Sequence, residues 1–168
     1  MKPRTAAVDA LVDTITAERH VVEYLLFKLV TLKLLFVADQ RRFLEQAANE
    51  AERVVDNLRQ AEERRSAALL AVAADWDVDA ETLTLSDLAR KAPQPAKEQF
   101  RSLQRTLRGL ADEIEAVLED NRRLAEGGLG DVHTLLDAVI GTSTGDIYTD
   151  SGRRHRAPPQ PVQLDRAL

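Results

Sequence analysis

Glycine and proline are both absent from residues 4–92, and this 89-residue interval constrains the fold more than any other feature of the sequence. These two residues are the strongest breakers of regular structure, so the interval predicts long helices whose connections are made by other residue types. Pro93 and Pro95 close the interval. Only 4% of the residues are aromatic, which argues against a sheet protein. We therefore expect an all-α fold.

Apolar residues repeat at helical spacing in three segments, and this spacing predicts coiled-coil type seams. Glu18 interrupts the first seam, Arg65 lies in the second, and Asn121 lies in the third, where we interpret it as a residue that specifies register at some cost in stability. The seams are Val8, Leu11, Ile15, Val22, Leu25, Leu29, Leu32 and Phe36; Leu44, Ala47, Ala51, Val54, Leu58, Ala61, Arg65, Ala68 and Val72; and Phe100, Leu103, Leu107, Leu110, Ile114, Val117, Asn121 and Leu124, resuming as Leu129, Val132, Leu136 and Val139.

Three long apolar stripes bury one another most simply in an elongated antiparallel three-helix bundle, or coiled coil, of up-down-up topology. We expect a short connecting helix before the third long helix, and a flexible C-terminal tail that contains proline and glycine. The expected bundle spans residues 1–141 and the tail spans residues 142–168. The expected helices lie near residues 5–37, 39–75, 85–91 and 95–140.

Helix termini are predicted from local signals. Asp39 is a possible N-cap of the second helix, and Thr84 with Asp87 resembles a capping box for the short helix. We expect the third long helix to continue through the glycines at 127, 128 and 130 with local mobility. The alternative is a break there, with Asp131 as a new N-cap.

Residues for catalysis or metal binding are not arranged in any recognisable pattern. The chain has no cysteine, which excludes disulfides, cysteine nucleophiles and cysteine-ligated zinc. His20, His133 and His155 have no partner at metal-ligand spacing, and the acidic run at residues 75–81 lacks the glycine and the glutamate of a calcium loop. We expect no enzymatic activity, no cofactor and no metal.

Charge and hydropathy also limit the partners. The formal net charge of -5 gives no reason to expect nucleic-acid binding. The most apolar stretch, residues 21–37, contains Glu23, Lys28 and Lys33, so we expect no stable membrane insertion. Asp9 stands where a secretory signal would be apolar, and we expect a cytoplasmic protein.

Residues 21–37 carry apolar side chains on more than one helix face. Such a helix is either buried on two sides by its own neighbours or left partly exposed for another chain. One function that would use exposure is a self-associating coiled-coil adaptor, or scaffold protein, that pairs through Leu26, Phe27 and Val30. A membrane-surface helix is a weaker alternative, because Glu18 and Glu23 interrupt any basic polar face.

Four features together resemble the FlgN family of flagellar export chaperones over about residues 5–152. They are the leucine-rich first helix, the glycine-free second helix, the segment NRRLA at residues 121–125 and the segment TGDIYTDSG at residues 144–152. The resemblance implies a cytoplasmic, non-enzymatic helper of type III secretion. It would bind the C-terminal segments of hook-filament junction proteins, keep them unassembled and deliver them to the export gate.

The same resemblance implies the site residues. Tyr148 would dock on the cytosolic domain of the export gate. The glycines at 127, 128 and 130 and the proline-rich extension after Gly152 depart from the family pattern. The implied client-binding residues are Leu124, Leu129, Val132, Leu136, Val139 and Ile140.

Overall fold

The computed structural model describes residues 3–126, and within them the chain is all-α, as predicted. Three long helices form the bundle and a short helix connects the second to the third. The first helix alone, with 35 residues, is about 52 Å long at 1.5 Å per residue, so the bundle is elongated. The helices are α1 (Pro3–Val37), α2 (Leu44–Trp76), α3 (Leu85–Lys91) and α4 (Ala96–Ala125).

An aspartate in the left-handed conformation ends α1. Asp39 has φ of 52°, its N–H donates to the carbonyl of Phe36 at 3.0 Å, and the N–H of Gln40 donates to the carbonyl of Leu35 at 2.9 Å. This hydrogen-bond pair is a Schellman motif, in which glycine is the usual left-handed residue. The prediction that Asp39 caps the start of the second helix is therefore wrong, because Asp39 terminates the first; a 3₁₀ turn at Arg41–Phe43 follows, and α2 begins at Leu44.

A Schellman motif with a left-handed aspartate also ends α2. Asp77 has φ of 54°, its N–H donates to Ala74 at 3.3 Å, and the N–H of Val78 donates to Ala73 at 3.0 Å. Aspartate tolerates the left-handed region better than most residues because its short side chain bonds locally. Two aspartates thus end two long helices inside an interval that has no glycine or proline.

Two ion pairs show that α2 runs antiparallel to α1. Glu18 pairs with Arg65, with Oε1 and Nη1 2.5 Å apart, and Lys28 pairs with Glu50, with Nζ and Oε2 2.8 Å apart. Later residues of α1 therefore meet earlier residues of α2. The end of α2 lies beside the first half of α1.

Helix α3 has the predicted capping box. Thr84 Oγ1 accepts from the N–H of Asp87 at 3.1 Å, and the Asp87 carboxylate accepts from the N–H of Thr84 at 3.3 Å. Gln104, early in α4, donates to Ser86 Oγ of α3 at 2.7 Å, which holds the start of α4 against the short helix.

Helix α4 returns along α1 in the same direction, which completes the up-down-up order. Asp120 and Asn121, near its end, contact Lys33 and Leu29 in the second half of α1. We call this end of the bundle, where α1 ends, α2 begins and α4 ends, the distal end. The expected continuation of the third helix to residue 140, and the boundary at 141, lie outside the described residues.

The core is built mainly from residues of the predicted seams, together with Leu85 and Leu88 of α3, whereas Leu124 of the third seam is exposed. Among the described residues Phe100 is the largest side chain that is buried completely, and Trp76, the last residue of α2, packs half-buried against the core. Burial of aliphatic side chains stabilises the fold by about 1.5–3 kcal/mol each. Large core residues that are almost completely buried include Leu11, Ile15, Leu25, Leu29, Leu32, Leu44, Leu58, Leu85, Leu88, Phe100 and Leu107.

Candidate functional site

Leu124 is the one predicted client-binding residue that lies in the described part of the chain. It sits one residue before the end of α4 and is 40% exposed, while its neighbours Asn121 and Ala125 are buried. The structure thus places an apolar side chain at the surface of the distal end. The remaining predicted site residues lie outside the described residues: Leu129, Val132, Leu136, Val139, Ile140 and the predicted docking residue Tyr148.

The end of α4 is held in place by two polar contacts with α1. Asn121 is completely buried, and its Nδ2 donates to the backbone carbonyl of Leu29 at 2.9 Å. Lys33 Nζ lies 2.6 Å from Asp120 Oδ2, and this hydrogen bond lowers the pKa of the Asp120 carboxyl below its ordinary value. Because a buried amide is costly unless bonded, the Asn121 contact favours one register of α4 on α1.

A stripe of side chains on α1 faces away from the core at the distal half of the bundle. Tyr24, Phe27, Thr31 and Leu34 follow the spacing of one helix face, and we call them the outer stripe. Tyr24 is 49% exposed, Phe27 57% and Leu34 61%. Thr31 is partly exposed, and its hydroxyl donates to the carbonyl of Phe27 at 2.8 Å. Of the two sequence alternatives for this helix, exposure is correct for this face.

The aromatic part of the outer stripe is ordered by neighbouring groups. The rings of Tyr24 and Phe27 stack with centroids 6.0 Å apart. Lys28 Nζ lies 5.1 Å from the Tyr24 centroid and 5.5 Å from that of Phe27, which is cation–π range. The hydrogen bond between Lys28 and Glu50 raises the pKa of Lys28 and lowers that of Glu50. Both shifts favour the charged forms, and the ion pair holds the Lys28 ammonium beside the two rings.

The distal end carries further exposed apolar groups. Val37, the last residue of α1, and Phe43, just before α2, are both exposed, and the Arg42 guanidinium lies 4.6 Å from the Phe43 ring centroid. Large clusters of exposed apolar side chains are typical of binding surfaces. At the opposite end, Leu70 of α2 is also exposed.

The sequence reasoning missed that Glu18 and Arg65 pair with each other. Glu18 is completely buried and Arg65 is 3% exposed, and burial raises the pKa of the Glu18 carboxyl although Arg65 opposes that shift. The sequence did carry a signal for this pair. Residues at equal distances before and after a helix connection meet in an antiparallel pair, and Glu18 and Arg65 lie equally far from the connection at residues 41 and 42. The pair sets the register between α1 and α2 and lies far from the distal end.

Metal and membrane features are absent from the part of the chain that the structure describes. Residues 3–126 contain no group of three or more His, Asp or Glu side chains that could hold a metal ion. No helix among them is both long and apolar enough to cross a membrane. In the acidic run at residues 75–81, the Asp79 carboxylate accepts from the N–H of Glu81 at 2.9 Å and caps a short 3₁₀ turn.

An elongated helical bundle with apolar side chains exposed at one end is typical of proteins that bind helical segments of other chains. A family model described as "FlgN protein" matches residues 1–156, and the chain belongs to this family. Family membership implies a flagellar export chaperone role, and the family is not an enzyme family. No curated protein and no solved structure matches the chain.

Proposed function

We propose that this protein is a cytoplasmic export chaperone for hook-filament junction proteins. It binds their C-terminal segments, keeps them unassembled and delivers them to the cytosolic domain of the type III export gate. Family membership supports the export-chaperone role. The observation that carries the client-binding part is Leu124, which is apolar, exposed and located at an end of α4 that α1 holds in place.

The proposed client site begins at Leu124 and resumes after the glycines at 127 and 128 with Leu129, Val132, Leu136 and Val139, which are three and four residues apart. An amphipathic client helix needs an apolar partner surface until it is exported, and such surfaces are read by side chains three and four residues apart. The series is Leu124, Leu129, Val132, Leu136, Val139 and Ile140.

Isothermal calorimetry with the C-terminal segment of a junction protein tests this site in the full-length chain. Leu124→Ser is expected to weaken binding about tenfold, or about 1.4 kcal/mol, because it replaces an apolar contact of the client with a hydroxyl group. Leu70→Ser is the matched control, since Leu70 is also an exposed leucine, at 61%, but lies on α2 near the opposite end. Equal effects of the two variants, or no binding by the unmodified chain, would contradict the proposal.

The export-gate contact is proposed for Tyr148. Tyr148→Ala is expected to leave the melting temperature and the client affinity unchanged, and to reduce the amount of junction protein secreted into the medium. A marked drop in melting temperature would instead make Tyr148 a packing residue. Full secretion by this variant would also contradict the docking role.

The adaptor alternative has one observation in its favour, the exposed Phe27. Leu26 and Val30, the other residues of that hypothesis, are half-buried against their own bundle. An adaptor would form a stable dimer without client, whereas a chaperone would be a monomer that binds one client chain.

A further inference from the structure

The outer stripe has no cover from residues 3–126, and the chain continues from the same end of the bundle. Tyr24, Phe27 and Leu34 each expose about half or more of their side chains. Two stacked aromatic rings and a leucine in water are costly at about 25 cal/mol per Å² of apolar surface, so a covering partner would be favoured.

We propose that in the client-free protein residues 129–140 pack as a helix on the outer stripe, antiparallel to α1. The stripe and the client then compete for the same apolar residues. The competition between stripe and client rests on the proposed function, whereas the packing of residues 129–140 on the outer stripe does not.

Chain geometry allows this return. Helix α4 ends at Ala125, and Asp120 and Asn121 contact Lys33 and Leu29, so the chain leaves α4 beside the last part of α1. The stripe from Leu34 back to Tyr24 covers ten helical steps, about 15 Å, which is the length that residues 129–139 would cover. The glycines at 127, 128 and 130 provide the backbone freedom that a reversal needs.

The apolar spacing matches along the whole stripe. Both series have intervals of three, four and three residues, and this pattern reads the same in either direction. An antiparallel arrangement therefore aligns every member of one series with a member of the other. The pairs are Leu34 with Leu129, Thr31 with Val132, Phe27 with Leu136, and Tyr24 with Val139.

Charge favours this segment over a second copy of α1. Residues 24–42 contain four basic residues, Lys28, Lys33, Arg41 and Arg42, and one acidic residue, Asp39. Residues 129–140 contain two acidic residues, Asp131 and Asp137, and neither lysine nor arginine. Opposite charge guides association, while like charges brought together are unfavourable, so a second stripe would place lysines against lysines.

Cysteine cross-linking tests the packing in the full-length chain, which has no cysteine of its own. Under mild oxidation, the pair Thr31→Cys with Val132→Cys is expected to form an intramolecular disulfide about tenfold faster than the control pair Thr31→Cys with Thr134→Cys. The reason is that a packed pair has a higher effective concentration than a merely tethered one. Position 134 is equally close along the chain but lies off the apolar face.

Equal rates for the two pairs would overturn the packing, and a disulfide-linked dimer would assign the stripe to a second copy. This measurement contains no client, so it stands or fails separately from the proposed function. Adding excess junction-protein segment is expected to slow the Thr31–Val132 cross-link; an unchanged rate with client demonstrably bound would overturn the competition.

Substitutions on the stripe test the competition from the other side. The double variant Phe27→Ser with Leu34→Ser removes two exposed apolar side chains of the outer stripe, which weakens the packing of residues 129–140 on it. Client affinity is expected to rise several-fold, because residues 129–140 are then free to bind client in a larger fraction of the molecules. Leu70→Ser is again the control and should change nothing. Weaker client binding by the stripe variant would make the stripe a client contact and overturn the inference.

Discussion

Removing one partner of the buried pair Glu18–Arg65 is predicted to destabilise the bundle strongly. Glu18 is 0% exposed and Arg65 3%, and Nη1 and Oε1 are 2.5 Å apart. In Glu18→Gln the shape is kept, but the guanidinium cannot lose its proton and stays charged in the interior. Breaking a buried pair in this way costs about 3–5 kcal/mol, which is a large part of the 5–15 kcal/mol typical of a domain.

The double variant Glu18→Leu with Arg65→Met separates the pair from simple loss of packing. Replacing both charges by apolar groups is expected to leave the free energy of unfolding unchanged or to raise it by up to about 4 kcal/mol. Urea unfolding followed by circular dichroism measures each free energy of unfolding. A cost of less than about 1 kcal/mol in Glu18→Gln would refute a buried α1–α2 pair, and so would a double variant whose free energy change equals the sum of those of Glu18→Leu and Arg65→Met measured singly.

Three further predictions concern the core, a helix end and pH. Leu29→Asp should unfold the bundle, because it buries an unpaired charge at a cost of several kcal/mol, while Leu70→Asp at an exposed position should leave the melting temperature nearly unchanged. Asp77→Gly should raise the free energy of unfolding in urea by about 0.5 kcal/mol, because glycine adopts the left-handed conformation with φ of 54° more readily. The pKa of Asp120 is lowered by its hydrogen bond to a lysine, so its stabilising effect is present above the ordinary value of 3.8 and is lost as pH falls through the lowered pKa. The stability difference between the unmodified chain and Asp120→Asn should therefore be present at neutral pH and vanish in acid titrations; a difference that grows in acid would be contrary.

The all-α fold was predictable because the apolar residues of each seam recur every three or four residues, which is the period of an α-helix. Leu11, Leu25 and Leu107 recur at heptad positions, and burial of those positions is what the bundle consists of. The connections were less predictable, because Asp39 favours both a helix start and a left-handed helix end. Asp39 takes the second role here, in which its N–H donates to Phe36 and the N–H of Gln40 donates to Leu35.

The candidate site was predictable in part. Leu124 was placed at the edge of the third seam by its spacing, but its exposure depends on how α4 meets α1 through Asn121. The outer stripe was visible only as excess hydrophobicity, because a sequence does not show which face of a helix lacks a neighbour. Phe27 and the half-buried Val30 are similar in sequence terms and differ only after packing.

Sedimentation velocity of the full-length chain, alone and with the C-terminal segment of a junction protein, tests the central claim most directly. That claim is that Leu124 and the apolar residues that follow it in the sequence bind a client chain. The account predicts a monomer of 18.7 kDa that becomes a one-to-one complex when client is added. A stable dimer whose mass does not change with client would contradict it.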